Sequence, residues 1–232
     1  MSLSERYDRF YHPPQVRETF FDVTLRGWPR NRVEAIIAHA GQGDTVLDVG
    51  CGSGHLLYQL RGRYKRLIGL EFSPARLEQA RLNLGGLEFV PVLGSAEQMA
   101  EVSSASVDCV VSADTIEHVP DVYAAVAELW RVLRPGGRLV INTPNIAFIK
   151  KRALLLLGRF PSTSQPNEGL GSDLLFDGGH FHYFTFRSLR LVLERAGFRM
   201  ERPLGYGKWG RIHDFHPPLL SGGVQWIARR PG

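Results

Sequence analysis

Short apolar runs alternate with longer stretches of helical periodicity along most of this chain. The runs at 45–49, 66–71, 87–93, 107–112 and 137–142 are nearly continuous in Val, Leu, Ile and Phe. Runs of that length suit strands buried on both faces. Two of the stretches between them carry helix-start signals. Ser73 precedes Pro74, which predicts a helix over 74–84 with serine as N-cap and proline at the first helical position. Asp121 opens a second helix over 121–133, which stops before Arg134-Pro135-Gly136-Gly137, a turn by composition. Strands alternating with helices predict an α/β fold with a parallel sheet, right-handed crossovers and ligands bound at the carboxyl ends of the strands.

The rhythm breaks at 146–185. Lys150-Lys151-Arg152 leads into Ala153-Leu154-Leu155-Leu156-Leu157, and 160–179 is rich in Pro, Ser, Gly and Asn. A segment this long without periodicity is a candidate cap over a binding site. Residues 150–157 read as a cap helix with buried leucines, or alternatively as a basic and apolar segment that touches a membrane surface. Order returns with a helix over 186–196, ended by Gly197, and a closing strand pair at 198–204 and 223–229. The expected organisation is one domain over 1–232. It comprises an N-terminal helical arm at 1–40, a core at 44–145, the cap at 146–185, and a C-terminal helix and strand pair at 186–232. In the arm, Tyr7, Phe10, Tyr11, Phe20 and Phe21 form either a lid over a bound ligand or a cover for the sheet edge.

The first strand runs into the most informative stretch, Val46-Leu47-Asp48-Val49-Gly50-Cys51-Gly52-Ser53-Gly54. Glycine has no Cβ and tolerates positive φ, so such a loop lets backbone approach a ligand closely. Glu71 ends the second run, where a carboxylate can accept hydrogen bonds from ribose hydroxyls. The spacing is G-x-G-x-G, not the G-x-G-x-x-G of dinucleotide sites. Asp48 would repel a pyrophosphate and suits a ligand with a cationic amine and sulfonium.

Composition narrows the reading. The chain has 232 residues, 44% of them apolar and 22% charged, with a formal net charge of +5. That length supports one domain with a substantial core. No run approaches the roughly 20 apolar residues of a membrane span. The N-terminus lacks an apolar signal core, so a cytoplasmic protein is expected. The only two cysteines, Cys51 and Cys109, predict no disulfide framework. The positive charge allows an anionic partner, but neither an arginine-rich block nor an aromatic stacking platform appears, and no nucleic-acid partner is expected. No Cys/His pattern of metal-ligand spacing appears, and no metal is expected.

The stretch Val46–Gly54 closely resembles the first motif of the class I S-adenosylmethionine (SAM) dependent methyltransferases. Further segments match that family in order. Gly69-Leu70-Glu71-Phe72-Ser73 resembles the second motif, which implies Glu71 on the ribose and Phe72 against the adenine. Gly94-Ser95-Ala96-Glu97 resembles the adenine loop, with Ser95 where the family often has Asp. Asp114-Thr115-Ile116-Glu117-His118-Val119 and Leu133-Arg134-Pro135-Gly136-Gly137 are similar to the ubiquinone-biosynthesis-like branch. The resemblance spans 44–145. It implies a Rossmann-like sheet of seven strands, mostly parallel with an antiparallel last strand, and helices on both faces. It also implies SAM as cofactor and S-adenosylhomocysteine as product, held by Asp48, Gly50, Cys51, Gly52, Gly54, Glu71, Phe72, Ser95, Ala96, Glu97, Asp114 and Thr115. Pro144-Asn145 and His180-Phe181-His182-Tyr183-Phe184-Thr185 resemble, more loosely, small bacterial methyltransferases of surface glycan, lipid and secondary-metabolite pathways.

Methyl transfer from a sulfonium needs positioned, desolvated partners, and a base only if the acceptor must lose a proton. His118 is the candidate base. His180 and His182 stand two apart and would share a face in a strand. His182 is the second catalytic candidate, with Tyr183 nearby, and no third ligand for a metal is evident. The expected function is methyl transfer to a small-molecule, lipid or saccharide-precursor acceptor, with peripheral membrane contact allowed. The alternative is a SAM-binding accessory protein that supports a partner enzyme.

Overall fold

Near-continuous apolar strands need cover on both faces, and the fold supplies it. In the computed structural model, residues 1, 3–10, 16–164 and 168–232 are described. The strands are β1 (Gly43–Val49), β2 (Tyr64–Glu71), β3 (Phe89–Leu93), β4 (Val107–Ala113), β5 (Leu133–Pro144), β6 (Arg199–Leu204) and β7 (Gly223–Arg229). They form one seven-stranded sheet in the order β3-β2-β1-β4-β5-β7-β6. Strands β1 to β5 pair in parallel, and β7 runs antiparallel to both β5 and β6. This is the Rossmann-like sheet with an antiparallel last strand that the resemblance implies.

The helices are α1 (Leu3–Phe10), α2 (Arg32–His39), α3 (His55–Leu60), α4 (Pro74–Asn83), α5 (Val122–Val132), α6 (Ile149–Leu156), α7 (Phe186–Arg195), α8 (Ile212–Phe215) and α9 (Pro217–Leu220). Strand alternation splits the core in two. Val46, Leu67, Val111 and Val140 pack against Ile36, Leu57, Leu60 and Leu77 of α2, α3 and α4. Leu47, Leu70, Val110 and Ile141 pack against Val126, Leu129, Leu189 and Leu193 of α5 and α7 on the other face. The expected caps form. The Ser73 hydroxyl accepts from Arg76 N at 3.2 Å, and the Asp121 carboxylate accepts from Tyr123 N and Ala124 N at 2.9 and 3.0 Å.

Two expectations need correction. The turn at 134–137 does not precede β5 but lies within it, as a bulge: Leu133 pairs with Val107 and Arg138 already with Cys109. The excursion is stitched to the end of β7, where Gly136 N donates to Arg230 O at 2.9 Å and Arg230 N to Gly137 O at 3.0 Å. Nor are the leucines of the cap helix buried. Leu155, Leu156 and Leu157 are 65%, 88% and 75% exposed, and no residue of α6 is buried among the described residues.

The described residues of the rest of the cap, 157–164 and 168–185, have little regular structure and are gathered around one buried acid. Asp177 is fully buried. Its carboxylate accepts from the Ser162 hydroxyl, from Thr163 N and Oγ1 at 3.1 and 3.0 Å, from Ser164 N at 3.2 Å and from the Tyr183 hydroxyl at 3.2 Å. Removing such an acceptor leaves the buried Ser162 hydroxyl unpaired, at about 1–3 kcal/mol, and frees the half-buried Thr163 and Tyr183 donors as well. Asp177→Ala is therefore expected to speed amide exchange across 157–185 in hydrogen-exchange mass spectrometry, while β1, β4 and β5 keep their protection.

Candidate active site

Strand order reverses between β1 and β4, and ligands in such sheets bind outside the carboxyl ends at that point. A cleft of about 600 Å³ opens there. On leaving β1 the chain turns through Gly50, whose φ is +78°. A Cβ on Gly50 would lie 2.2 Å from Thr115 Oγ1. Thr115 sits that close because its hydroxyl donates to Val49 O at 2.9 Å, locking the end of β4 onto β1. Gly54, with φ +88°, starts α3 in the left-handed region and backs onto Leu84. Cys51 is buried between them, and burial pushes its thiol well up.

Glu71 holds this loop in shape. Oε2 accepts from Gly52 N at 2.8 Å, and Oε1 accepts from Phe72 N and Ser73 N at 2.9 and 3.0 Å. Phe72 lines the cleft beside Glu71, with Tyr7 edge-on to its ring at 6.4 Å. Gly94 to Glu97 form the next stretch of wall. There the Ser95 hydroxyl donates to Glu97 Oε2 at 3.0 Å, and Glu97 Oε1 accepts from Asp121 N at 2.5 Å. Asp114 stands at the rim in the left-handed region, φ +52°, and its carboxylate pairs with Arg32. Burial raises its pKa and the guanidinium partly offsets this.

The cofactor residues expected from sequence therefore meet at one edge, and all but Gly54, which faces Leu84 and Ala80 instead, line the cleft. The catalytic pair divides differently. His118 lines the cleft, but His182 does not: it lies in a separate depression with Asp121, Tyr123 and Phe184, its Nε2 3.3 Å from Pro120 O. Residues 180–183 are not a strand. Phe181 N and His182 N both donate to Glu117 O, at 2.8 and 3.1 Å, and that crossing sends the two histidines to different sides. His180 is the ring that joins His118, with centroids 4.6 Å apart and an interplanar angle of 78°. Tyr7, of the arm, donates to Gly179 O at 3.1 Å and lies 2.8 Å from His118 Nδ1, so the arm does reach over the cleft. Phe20 packs instead on His55 and Tyr58, and Tyr11 lies outside the described residues. Burial, then the neighbouring His180, lowers His118 to about 4, which leaves the ring neutral at pH 7 and a weak base.

Arg32, Thr163 and Asp177 are not legible as site residues in the sequence, and Glu117 lies within the Asp114–Val119 motif without an expected role of its own. Arg32 and Thr163 reach the cleft only through the fold, and Asp177 stands behind it, bonded to Thr163 and beside His180. Asp48 is buried beneath the loop, and among the described residues no hydrogen-bond donor reaches its carboxyl group. Burial, then the nearby Glu71 charge, raises its pKa from 3.8 to about 8. A raised folded-state value stabilises the fold fully below pH 3.8, and that contribution is lost as pH rises through about 8. Asparagine mimics the neutral form. In thermal denaturation of the ligand-free chain, Asp48→Asn should match the parent at about pH 4 and exceed its Tm by a margin that widens toward about pH 9.

The methyltransferase domain family matches residues 47–141. A ubiquinone biosynthesis O-methyltransferase of Nitrosococcus oceani is 36% identical over 117 residues, 49% of this chain and 50% of that protein. A Mycolicibacterium smegmatis protein, named a probable S-adenosylmethionine-dependent methyltransferase, is 31% identical over 169 residues, 73% of this chain and 57% of its own. The chain thus spans 50% and 57% of the length of these two relatives. A solved S-adenosylmethionine dependent methyltransferase of Mesorhizobium loti shares the fold, with a TM-score of 0.64 at 19% identity over 85% of this chain and 95% of that one. With the glycine loop, Glu71 and the strand order in place, the 47–141 core belongs to the class I methyltransferase family, whose cofactor is S-adenosylmethionine.

Proposed function

We propose that this chain moves a methyl group from SAM to an oxygen of a small-molecule, lipid or saccharide-precursor acceptor. The observation that carries this reading is a single cleft with two unlike walls. One wall is the glycine loop with Asp48, Glu71 and 94–97; the other is Tyr7, His118 and His180. The first fits the cofactor by its chemistry. Glu71 is buried at the β2 terminus with three amide donors on its two oxygens, one of them on Oε2, so a lone pair of Oε2 remains for a ribose hydroxyl. Phe72, Ser95, Ala96 and Glu97 would flank the adenine. Asp48, buried without a donor among the described residues, suits the cationic amino-acid end, with Asp114 and Thr115 beside it.

Bound there, SAM supplies a methyl group already activated on a sulfonium. The remaining task of the protein is to orient and dry the acceptor. Tyr7 and His118 are tied to each other and to Gly179 O, which makes that wall rigid. His118 orients an acceptor hydroxyl as a neutral ring. An oxygen acceptor is supported by relatives named as ubiquinone biosynthesis and malonyl-[acyl-carrier protein] O-methyltransferases. A lipid-like acceptor is supported by the exposed Leu155, Leu156 and Leu157 beside Lys150 and Arg152, a basic and apolar surface of the interfacial kind. No helix among the described residues is long and apolar enough to cross a membrane. Both cysteines are free and buried, in keeping with a cytoplasmic setting.

Calorimetry with SAM and S-adenosylhomocysteine tests the donor half. Micromolar binding is expected, and Glu71→Ala should weaken it about ten- to a hundredfold, the worth of hydrogen bonds to a charged group. Failure of both ligands to bind would overturn the reading. A methyl-release screen over hydroxyl acceptors tests the other half, and cofactor binding without turnover on any acceptor class would favour an accessory role. Binding at pH 7 should also release a proton from Asp48, because a cationic ligand favours its ionised form. The heat of binding should then depend on the ionisation enthalpy of the buffer, and in Asp48→Asn that dependence should vanish.

A further inference from the structure

We propose that Glu117, His118 and His180 hold a divalent metal ion of the zinc type at the acceptor end of the cleft. One ligand atom from each of these side chains lies within 4.8 Å of the others. An ion bound at about 2.0–2.2 Å from each would draw them slightly together. All three residues line the cleft, so the positions left open on the ion face the space where a ligand oxygen could complete its coordination.

Three further observations point to a cation. Glu117 is 1% exposed, and its Oε2 accepts from the Thr143 hydroxyl at 2.8 Å. Its Oε1 is buried and meets no donor among the described residues. A buried carboxylate oxygen in that state is costly, and a metal ion would satisfy it.

The two histidines are also arranged as ligands. His118 Nδ1 lies 2.8 Å from the Tyr7 hydroxyl and 3.1 Å from Gly179 O; with the Tyr7 proton on Gly179 O, Nδ1 is the donor and Nε2 keeps its lone pair. His180 Nδ1 lies 2.6 Å from Thr163 Oγ1, whose own proton goes to Asp177 Oδ2 at 3.0 Å. In that arrangement the His180 Nδ1 proton points to Thr163, and Nε2 is the ligand atom. Metal-binding histidines are oriented by this kind of hydrogen bond from the far ring nitrogen to a carbonyl or carboxylate-linked acceptor. Asp177 thus gains a role beyond tying the cap, since it sets the tautomer of His180 through Thr163.

The third observation is charge. Asp114 places a second acid near Glu117 and His180, and the two acids share the single guanidinium of Arg32, which pairs directly with Asp114. The donor set is two imidazoles and one carboxylate, which suits Zn²⁺ and its first-row neighbours better than the all-oxygen shells of Mg²⁺ or Ca²⁺.

The test uses the full chain after chelator treatment, titrated with Zn²⁺ by calorimetry and with Co²⁺ by visible absorption. The expected result is one saturable equivalent of either ion, with a d–d spectrum for bound Co²⁺. Glu117→Gln, close in shape, and His180→Ala should each weaken binding by about tenfold or more. His182→Ala, outside the cleft, should leave it unchanged. SAM binding on the same samples reports an intact fold, and separates loss of the metal site from failure of the methyl-transfer reading. A featureless Co²⁺ titration, or equal affinity in the parent and Glu117→Gln, would overturn the proposal.

Discussion

The organisation of the cleft depends on one carboxylate. Glu71 gathers the Gly52, Phe72 and Ser73 amides at the end of β2. These amides belong to the loop after β1, to the exit of β2 and to the N-cap of α4, so a single side chain positions three pieces of backbone. Charge-assisted bonds of this kind are short and roughly twice as strong as neutral ones. Around the clasp the packing leaves little freedom. A Cβ on Gly69 would lie 2.7 Å from the Cys51 sulfur, and Thr115 fills the space beside Gly50. The ends of β1, β2 and β4 are thereby fixed before any ligand arrives, which limits the ordering cost of binding.

Three buried acids close to this edge meet the cost of burial in different ways. Asp177 is surrounded by hydroxyl and amide donors, and its role is to hold the cap. Glu117 is half satisfied, with a hydroxyl on one oxygen and no described donor on the other. Asp48 has no described donor and responds by staying protonated to about pH 8. Unsatisfied polar groups are rare in stable interiors and tend to mark function. Here the less satisfied acids border the cleft, and the fully satisfied one supports its wall.

The cap and the arm reach the cleft through few contacts. Tyr7 of α1 meets His118 and Gly179, while Thr163 and Asp177 of the cap meet His180. The acceptor wall is thus assembled from segments more than 100 residues apart, as the Tyr7–His118 pair shows. A rigid donor half built on strand ends and an acceptor half built on loops is the division expected where one cofactor serves varied substrates.

The chain's local chemistry was enough to read the donor half. Gly50, Gly52 and Gly54 act through backbone freedom, Ser73 and Asp121 through caps a few residues away, and Glu71 through its place at a strand end. Each of these effects is short in range, so order along the chain carries it. Burial on both faces made the strands legible for the same reason. The acceptor half was not legible in this way. Strand alternation would put His180 and His182 on one face, yet the segment is held by Glu117 O and only His180 lines the cleft. Leu155, Leu156 and Leu157 read as buried because they are apolar, but among the described residues none packs closely enough on α6 to cover them. The bulge at 134–137 keeps strand pairing only because Arg230 is there to bond it. The sequence by itself determined the sheet, the glycine loop and the cofactor. Tertiary structure alone decided which histidines meet, and that Glu117 lies beside them with an unpaired oxygen, because those relations depend on long-range packing that no local pattern encodes.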